Sequence, residues 1–282
     1  MTVLNDGNHD LSLVMEEETK ELQRDSAKPN SMSFKGSNKG DQESISEPGI
    51  QGRDSAQEDY MATPVVDFLS YEPNFLFKEF AKDQEARIRS SSRFGYLQTW
   101  KLARLIVKSG DDLRLEQFAM QLITLMDSIF KRRKVNLWIY PYEILATSYD
   151  CGLIEFCEDS IGVDYIRKTM SEMMNRNCDL YDYFRKNFGS PSQKGAQAKS
   201  FEKAQRAFAD SLAAYSLVCY VLQIKDRHNA NMLIDKEGHL IHIDFGFMLT
   251  DAPGKGLKFE TAPFKLSADF VRILGGPEGE GF

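Results

Sequence analysis

The chain has 282 residues, 42% of them hydrophobic, four cysteines and a net charge of −7, a composition that suits a folded globular protein with a real core. Residues 1–58 hold twelve acidic and six basic side chains, so the acidity belongs to that stretch, and no clustered basic excess marks a nucleic-acid binder. The cysteine spacings fit neither a CxxC metal pair nor a dense disulfide framework, which points to reduced thiols in a cytoplasmic protein.

Residues 1–58 are rich in Ser, Gly, Asp, Glu and Gln, with Phe34 as the only aromatic. So little apolar area cannot offset the entropy of ordering, and a disordered acidic tail is expected. The tail could take recruiting proteins, and its short apolar cluster from Leu11 to Met15 reads either as a short docking helix or as a stretch without a role. A helical lead-in is expected over 59–83, where Phe68, Tyr71, Phe75, Phe77 and Phe80 recur, with a solvated helix over 78–89. The second half of 100–108 is β-prone. Residues 111–130 have helical spacing, with Leu113, Phe118, Leu122, Leu125 and Ile129 as the apolar stripe. A strand interrupted by Pro141 is expected over 138–148, then a turn and a short apolar segment over 153–157.

From there the pattern is mostly helical: 165–175, 179–187, a low-complexity loop over 190–200, and a long helix over 201–224 that turns apolar. The most apolar run, 212–224, is too short to span a bilayer, so any membrane contact is expected to be peripheral. Two β-prone runs, 232–235 and 239–243, are joined by Lys236-Glu-Gly238, which is a hairpin signal.

The hairpin organises the chemistry. Pairing Asp235 with His239 or with Leu240 places Asn231 beside Ile243 or Asp244, bringing an amide and a carboxylate to its open mouth. Hard oxygens of this kind suit Mg²⁺ bridging phosphates. Asp226 and His228 lie just upstream, and one of them is placed to take a proton from an attacking hydroxyl. Phosphoryl transfer also needs cations. Lys108 ends a predicted strand and is followed by Asp111, Asp112 and Glu116, any of which could hold it. A small polar turn containing Ser91 and Ser92 could cover phosphates with backbone N–H groups. His239 and His242 read as ordinary strand histidines, and the basic run 131–134 as a complement to a helix C-terminus.

The string Asp226-Arg-His-Asn-Ala-Asn231, followed thirteen residues after its last Asn by Asp244-Phe-Gly246, resembles the phosphatidylinositol 3- and 4-kinase family. Further segments narrow the resemblance to the type III beta branch of the 4-kinases: Ile106–Arg114, Trp138–Tyr142, Leu217–Tyr220 and Phe259–Leu266. The resemblance covers about 84–276. It implies an α+β, bilobal protein-kinase-like fold, with a β-rich N-lobe over 84–156 and a largely helical C-lobe, incomplete over 157–282. It implies ATP and Mg²⁺ (or Mn²⁺) as cofactors and phosphatidylinositol in a membrane as the partner, phosphorylated at its 4-hydroxyl. The site implied is the cytosolic face of the Golgi or another membrane.

By the same resemblance Lys108 contacts ATP phosphates, Glu155, Phe156 and Cys157 form the hinge that meets adenine, and Asn231 and Asp244 hold the metal. Asp226 and His228 are the catalytic-loop residues, and Lys255, Lys258 and Lys265 meet the anionic headgroup. Ala230 stands where the family usually has Gly, Phe156-Cys157 where it more often has Pro-Val, and the family continues for several helices past Phe282. A 3-kinase or related protein kinase is the rival within enzymes, and a truncated, inactive fragment that binds nucleotide or partners is the rival outside them.

Overall fold

A computed structural model describes residues 71–192, 194–249 and 262–279. The acidic tail, Lys255 and Lys258 lie outside the described residues. The elements in order are α1 (Ala81–Ser91), β1 (Leu105–Ser109), α2 (Arg114–Arg133), β2 (Ile144–Ala146), β3 (Cys151–Glu155) and β4 (Ser160–Gly162). Then come α3 (Val163–Met174), α4 (Leu180–Phe188), α5 (Ala196–Leu222), a 3₁₀ turn (Asn229–Asn231), β5 (Met232–Asp235), β6 (Leu240–His242) and α6 (Ala268–Ile273).

Two three-stranded antiparallel sheets result, ordered β1-β3-β2 and β4-β5-β6. In the first, Lys108 lies opposite Gly152. A Cβ on Gly152 would sit 2.6 Å from both Leu113 and the Leu145 carbonyl, so only glycine lets the start of α2 close onto the sheet. The hairpin of the second sheet packs its tip on α5, where a Cβ on Gly238 would meet Ala204 at 2.9 Å.

The helix α5 joins two hydrophobic cores. Its Phe201, Phe208 and Leu212 pack with α3, α4, α6 and the hairpin. Its Tyr215, Val218 and Cys219 pack with α2, β2, Ile241 and Phe245. Phe208 meets Phe184 and Phe270 edge-on at 5.4 and 5.2 Å. Upstream, Asp179 caps α4 in a reciprocal box with Asp182, which explains why this short helix starts where it does.

Four expectations need correction. The described part of the lead-in, 71–80, is a series of turns, and the helix begins only at Ala81. Pro73 and the left-handed Asn74 break any helix, and the segment is instead strapped to α4 by Glu72 and Asn74. The stripe of α2 is only partly the expected one: Leu113 is buried and Leu122 packs on the core, but Phe118, Leu125 and Ile129 are exposed, while Glu116, Ala119, Met120, Ile123, Asp127 and Phe130 turn inward. The 138–148 strand is confined to β2, since Pro141 lacks the N–H a ladder needs. The loop before α5 is shorter than expected, the helix starting at Ala196.

Replacing Phe208 by Ala should cost about 3–5 kcal/mol in urea unfolding, because it empties the aromatic cluster between α4, α5 and α6. Tyr149→Ala, at an exposed turn, should stay within about 0.5 kcal/mol, and equal losses would contradict this packing.

Candidate active site

Helix α5 ends on the left-handed Gln223. The chain then runs without regular structure through Asp226 (φ 64°) to His228 before the 3₁₀ turn. The hairpin register pairs Met232 with His242 and Ile234 with Leu240, so Asp235 falls opposite His239 and Asn231 opposite Ile243. The Ile243 N–H donates to the Asn231 carbonyl at 3.1 Å. Asp244 therefore follows directly on the residue facing Asn231, and it too is left-handed, with φ 59°. Aspartate tolerates that conformation better than most residues, so two acids can stand at two sharp turns.

Sequence reasoning missed the residue that joins these turns. Arg227 is buried, and its guanidinium donates to the carbonyls of Lys225 (3.1 Å), Ile243 (2.8 Å) and Asp244. It also lies over the Phe245 ring. Burial lowers its pKa, and the charges of Cys219, Asp244 and Asp226 oppose that, so a charged arginine is kept between the two aspartates. Two backbone bonds run parallel to it: Lys225 N–H to the Phe247 carbonyl (3.0 Å) and Leu249 N–H to that of Leu222 (2.9 Å). The only signal in the sequence was an arginine set between Asp226 and His228 of the motif.

Asn231 donates from Nδ2 to the Asp226 carbonyl at 2.9 Å, which fixes the amide and leaves its oxygen as an acceptor. Asp244 is exposed, and its Oδ1 accepts from the Gly246 N–H at 3.3 Å. An amide oxygen and a carboxylate are hard donors, and they fit a divalent cation completed by phosphates and water. Among the described residues no group of three or more His, Cys, Asp or Glu could hold a metal by itself.

The expected cation is held as required, with different partners from one candidate to another. Lys108 Nζ pairs with Asp111 at 3.1 Å. Burial works to lower its pKa, but Glu116, Asp111 and Asp244 outweigh burial and raise it. Glu116 is buried on α2; burial raises its pKa, and Lys108 pulls it back. It accepts from the Tyr142 hydroxyl at 3.5 Å, and the neighbouring Phe245 backbone also draws its pKa down. Asp112 does not hold Lys108: it binds Arg114, two residues away, at 2.8 Å.

Ser91 and Ser92 also depart from expectation. They close the C-terminus of α1, where the Ser91 hydroxyl donates to Arg87 and Ile88 carbonyls and the Ser92 N–H to Ile88 and Arg89. A helix C-terminus presents carbonyls and a negative pole, the wrong end for phosphate.

Glu155, Phe156 and Cys157 leave β3 together. The Phe156 N–H is taken by the Arg104 carbonyl (3.1 Å) and the Cys157 carbonyl by the Ser160 hydroxyl (2.6 Å). The side chain of Arg104 braces this turn from behind, binding Ala81, Gln84 and Glu158. Burial, with Glu155 adding to it, pushes the Cys157 thiol up to about 12.

His228 Nε2 stands 3.7 Å from Asp226 Oδ2. Both line a cleft of about 720 Å³ with Arg227, Phe264 and Lys265. Lys265 thus reaches the turn after His228, its Nζ donating to Asn229 Oδ1 at 2.8 Å. The other two lysines, Lys255 and Lys258, lie outside the described residues. His239 bonds Asp235 and stacks on Trp138 at 4.0 Å, and His242 is buried against Tyr215, so both are structural.

An amide and a carboxylate at a hairpin mouth, a lysine paired with an acid three residues on and an Asp–His pair in the adjoining loop are groups that phosphoryl transfer can use. A family model described as phosphatidylinositol 3- and 4-kinase matches residues 103–281, and the chain belongs to that family. Among curated proteins it is 44% identical over 219 residues to phosphatidylinositol 4-kinase PIK1a of Candida albicans, covering 75% of this chain and 22% of that protein. It is 40% identical over 243 residues to phosphatidylinositol 4-kinase PIK1 of Saccharomyces cerevisiae, covering 83% and 22%. To phosphatidylinositol 4-kinase beta of Sorex araneus it is 44% identical over 205 residues, covering 73% and 24%. The chain thus spans less than a quarter of the length of these relatives.

Arg227→Met should cost about 3 kcal/mol or more, because it leaves three carbonyls of the joined loops without their donor. A thermal melt checks this, and an unchanged midpoint would contradict the clamp. In the native protein at pH 8, Cys157 should alkylate at least about tenfold more slowly than the half-buried Cys151, since its thiol stays protonated. Mass spectrometry of labelled peptides reads the difference, which should vanish in urea.

Proposed function

We propose that this domain has a bilobal kinase-like fold and transfers the γ-phosphoryl group of ATP to the 4-hydroxyl of phosphatidylinositol at a cytosolic membrane face. The observation that carries the reading is the joining of Asp226, Asn231 and Asp244 at one hairpin mouth by Arg227 and the Asn231 amide. The names of the relatives support the 4-hydroxyl as the acceptor, in preference to the 3-hydroxyl or a protein side chain.

In this reading β1–β3 with α2 form the smaller lobe, and the Glu155 carbonyl and Cys157 N–H face adenine. Lys108 contacts the phosphates, steadied by Asp111 and by the buried Glu116. Because Glu116 lies beside both Lys108 and the Phe245 backbone, the lysine and the Asp244 loop take their positions together. A divalent cation, Mg²⁺ or Mn²⁺, held by Asn231 and Asp244 would supply neutralisation of the charge on the phosphate oxygens. Asp226 and His228 share the task of receiving the proton of the attacking hydroxyl: one takes it and the other, 3.7 Å away, steadies the charge. Lys265, with Lys255 and Lys258, meets the anionic headgroup. Among the described residues no helix is long and apolar enough to cross a membrane, and the proposed contact with the bilayer is peripheral.

Incubation with ATP and phosphatidylinositol vesicles should yield metal-dependent phosphatidylinositol 4-phosphate, identified by its ring position on chromatography. Asp244→Ala should lower the rate about a thousandfold. Equal activity in the two proteins would sink the assignment, and product at the 3-position would transfer it to the other branch of the family.

A further inference from the structure

The 3₁₀ turn carries two asparagines with different duties. Asn231 turns its Nδ2 back to the Asp226 carbonyl. Asn229, two residues earlier, accepts from Lys265 Nζ at 2.8 Å across 36 residues of sequence. Lys265 is half-buried, and its apolar neighbours Phe264 and Leu266 are exposed on either side of it. The backbone just beyond it is fastened too: Asp269 accepts from the Ser267 hydroxyl and from the Leu180 N–H at the start of α4. Lys265 is therefore held at its root by α6 and at its tip by the catalytic turn.

We infer that Asn229 is a positioning residue that aims Lys265 at the phosphodiester of the bound phosphoinositide. This rests on the phosphoinositide reading of the cleft. An amide oxygen orients an ammonium group without cancelling its charge, whereas a carboxylate in the same place would neutralise it. The contact with Asn229 thus restrains the flexible stem of the lysine through an uncharged partner. In an inositol ring, carbon 4 lies opposite carbon 1, which carries the phosphodiester. A cleft lined by Lys265 and by Asp226 and His228 can receive the phosphate at one end and the reacting hydroxyl at the other. The Asn229–Lys265 bond sets the spacing between those ends, because Asn229 is continuous in chain with His228. The exposed Phe264 and Leu266 suit the interface of a bilayer, where a headgroup is presented beside apolar chains.

The test uses the full chain with phosphatidylinositol in phosphatidylcholine vesicles, and again with water-soluble short-chain phosphatidylinositol. Asn229→Ala should raise the lipid KM about five- to tenfold in both formats, with kcat and the KM for ATP within about twofold. Asn229→Ser, which retains an oxygen acceptor, should recover part of the loss, and Asn229→Asp should be worse than Ala because it cancels the lysine charge. Lys265→Ala should raise the lipid KM further, and adding Asn229→Ala to it should change nothing more. Thermal melts identify any variant that fails to fold, and the Ser and Asp variants then carry the comparison. A rise in lipid KM for Lys265→Ala with none for the Asn229 variants overturns the inference and leaves the phosphoinositide reading standing. Equal changes in lipid KM, ATP KM and kcat overturn it in favour of a structural role. A shift confined to vesicles does so in favour of attraction to the surface. Absence of lipid product from the unaltered chain counts against the phosphoinositide reading itself and takes the inference with it.

Discussion

A buried arginine with only carbonyl oxygens to bond is an expensive thing to build, and the site depends on one. Arg227 leaves water to reach the backbone at Lys225, Ile243 and Asp244. None of these acceptors is a carboxylate, so the cost of burying its charge is offset by three charge-assisted bonds and by the fields of Asp226 and Asp244. In exchange, two loops that belong to different parts of the chain are locked in register. Both aspartates stand in left-handed turns that a free chain rarely keeps, and the clamp over-determines both.

The clamp sits where the two cores meet. Helix α5 runs from one core into the other and delivers the segment from Asp226 to Asn231 at its end, while Phe245 and Met248 are buried in the second core just after Asp244. On the far side, Glu116 on α2 lies close enough to Lys108 and to the Phe245 backbone for each to shift its titration. A shift of α2 would thus move the lysine and loosen the Asp244 segment in one step. Beside the turn after β3, Arg104 and Asp159 hold the start of α1, and Asp159 also pairs with Lys236 at the hairpin tip. The strap over 71–80 continues this bracing onto α4 through Glu72 and Asn74.

What could be read from sequence followed from local rules. The hairpin obeys a period of two and a three-residue turn, so the pairing of Asn231 with Ile243 was one of only two possible registers. Lys108 could be placed because it ends a β-prone run, and the helices because their apolar spacing is regular. The inward face of α2 could be read only in part, because the helix turns two carboxylates, Glu116 and Asp127, inward among its apolar residues and leaves Phe118, Leu125 and Ile129 outside. Pattern reading assigns bulk to the core and charge to water, and a functional site reverses that rule at Glu116. The serines at 91 and 92 were misplaced because a polar turn before a strand looks the same as a helix end. Arg227 and the Asn229–Lys265 pair depend on tertiary contacts that no spacing encodes.

The central claim is that Arg227 holds a competent metal–nucleotide site together although it need not touch nucleotide. The most direct measurement is the rise in melting temperature caused by ATP, with and without Mg²⁺, in the unaltered chain and in Arg227→Met. The account predicts a metal-dependent rise in the unaltered chain that is lost in Arg227→Met, even though Asn231 and Asp244 remain. A folded Arg227→Met protein with the same metal-dependent rise would contradict it.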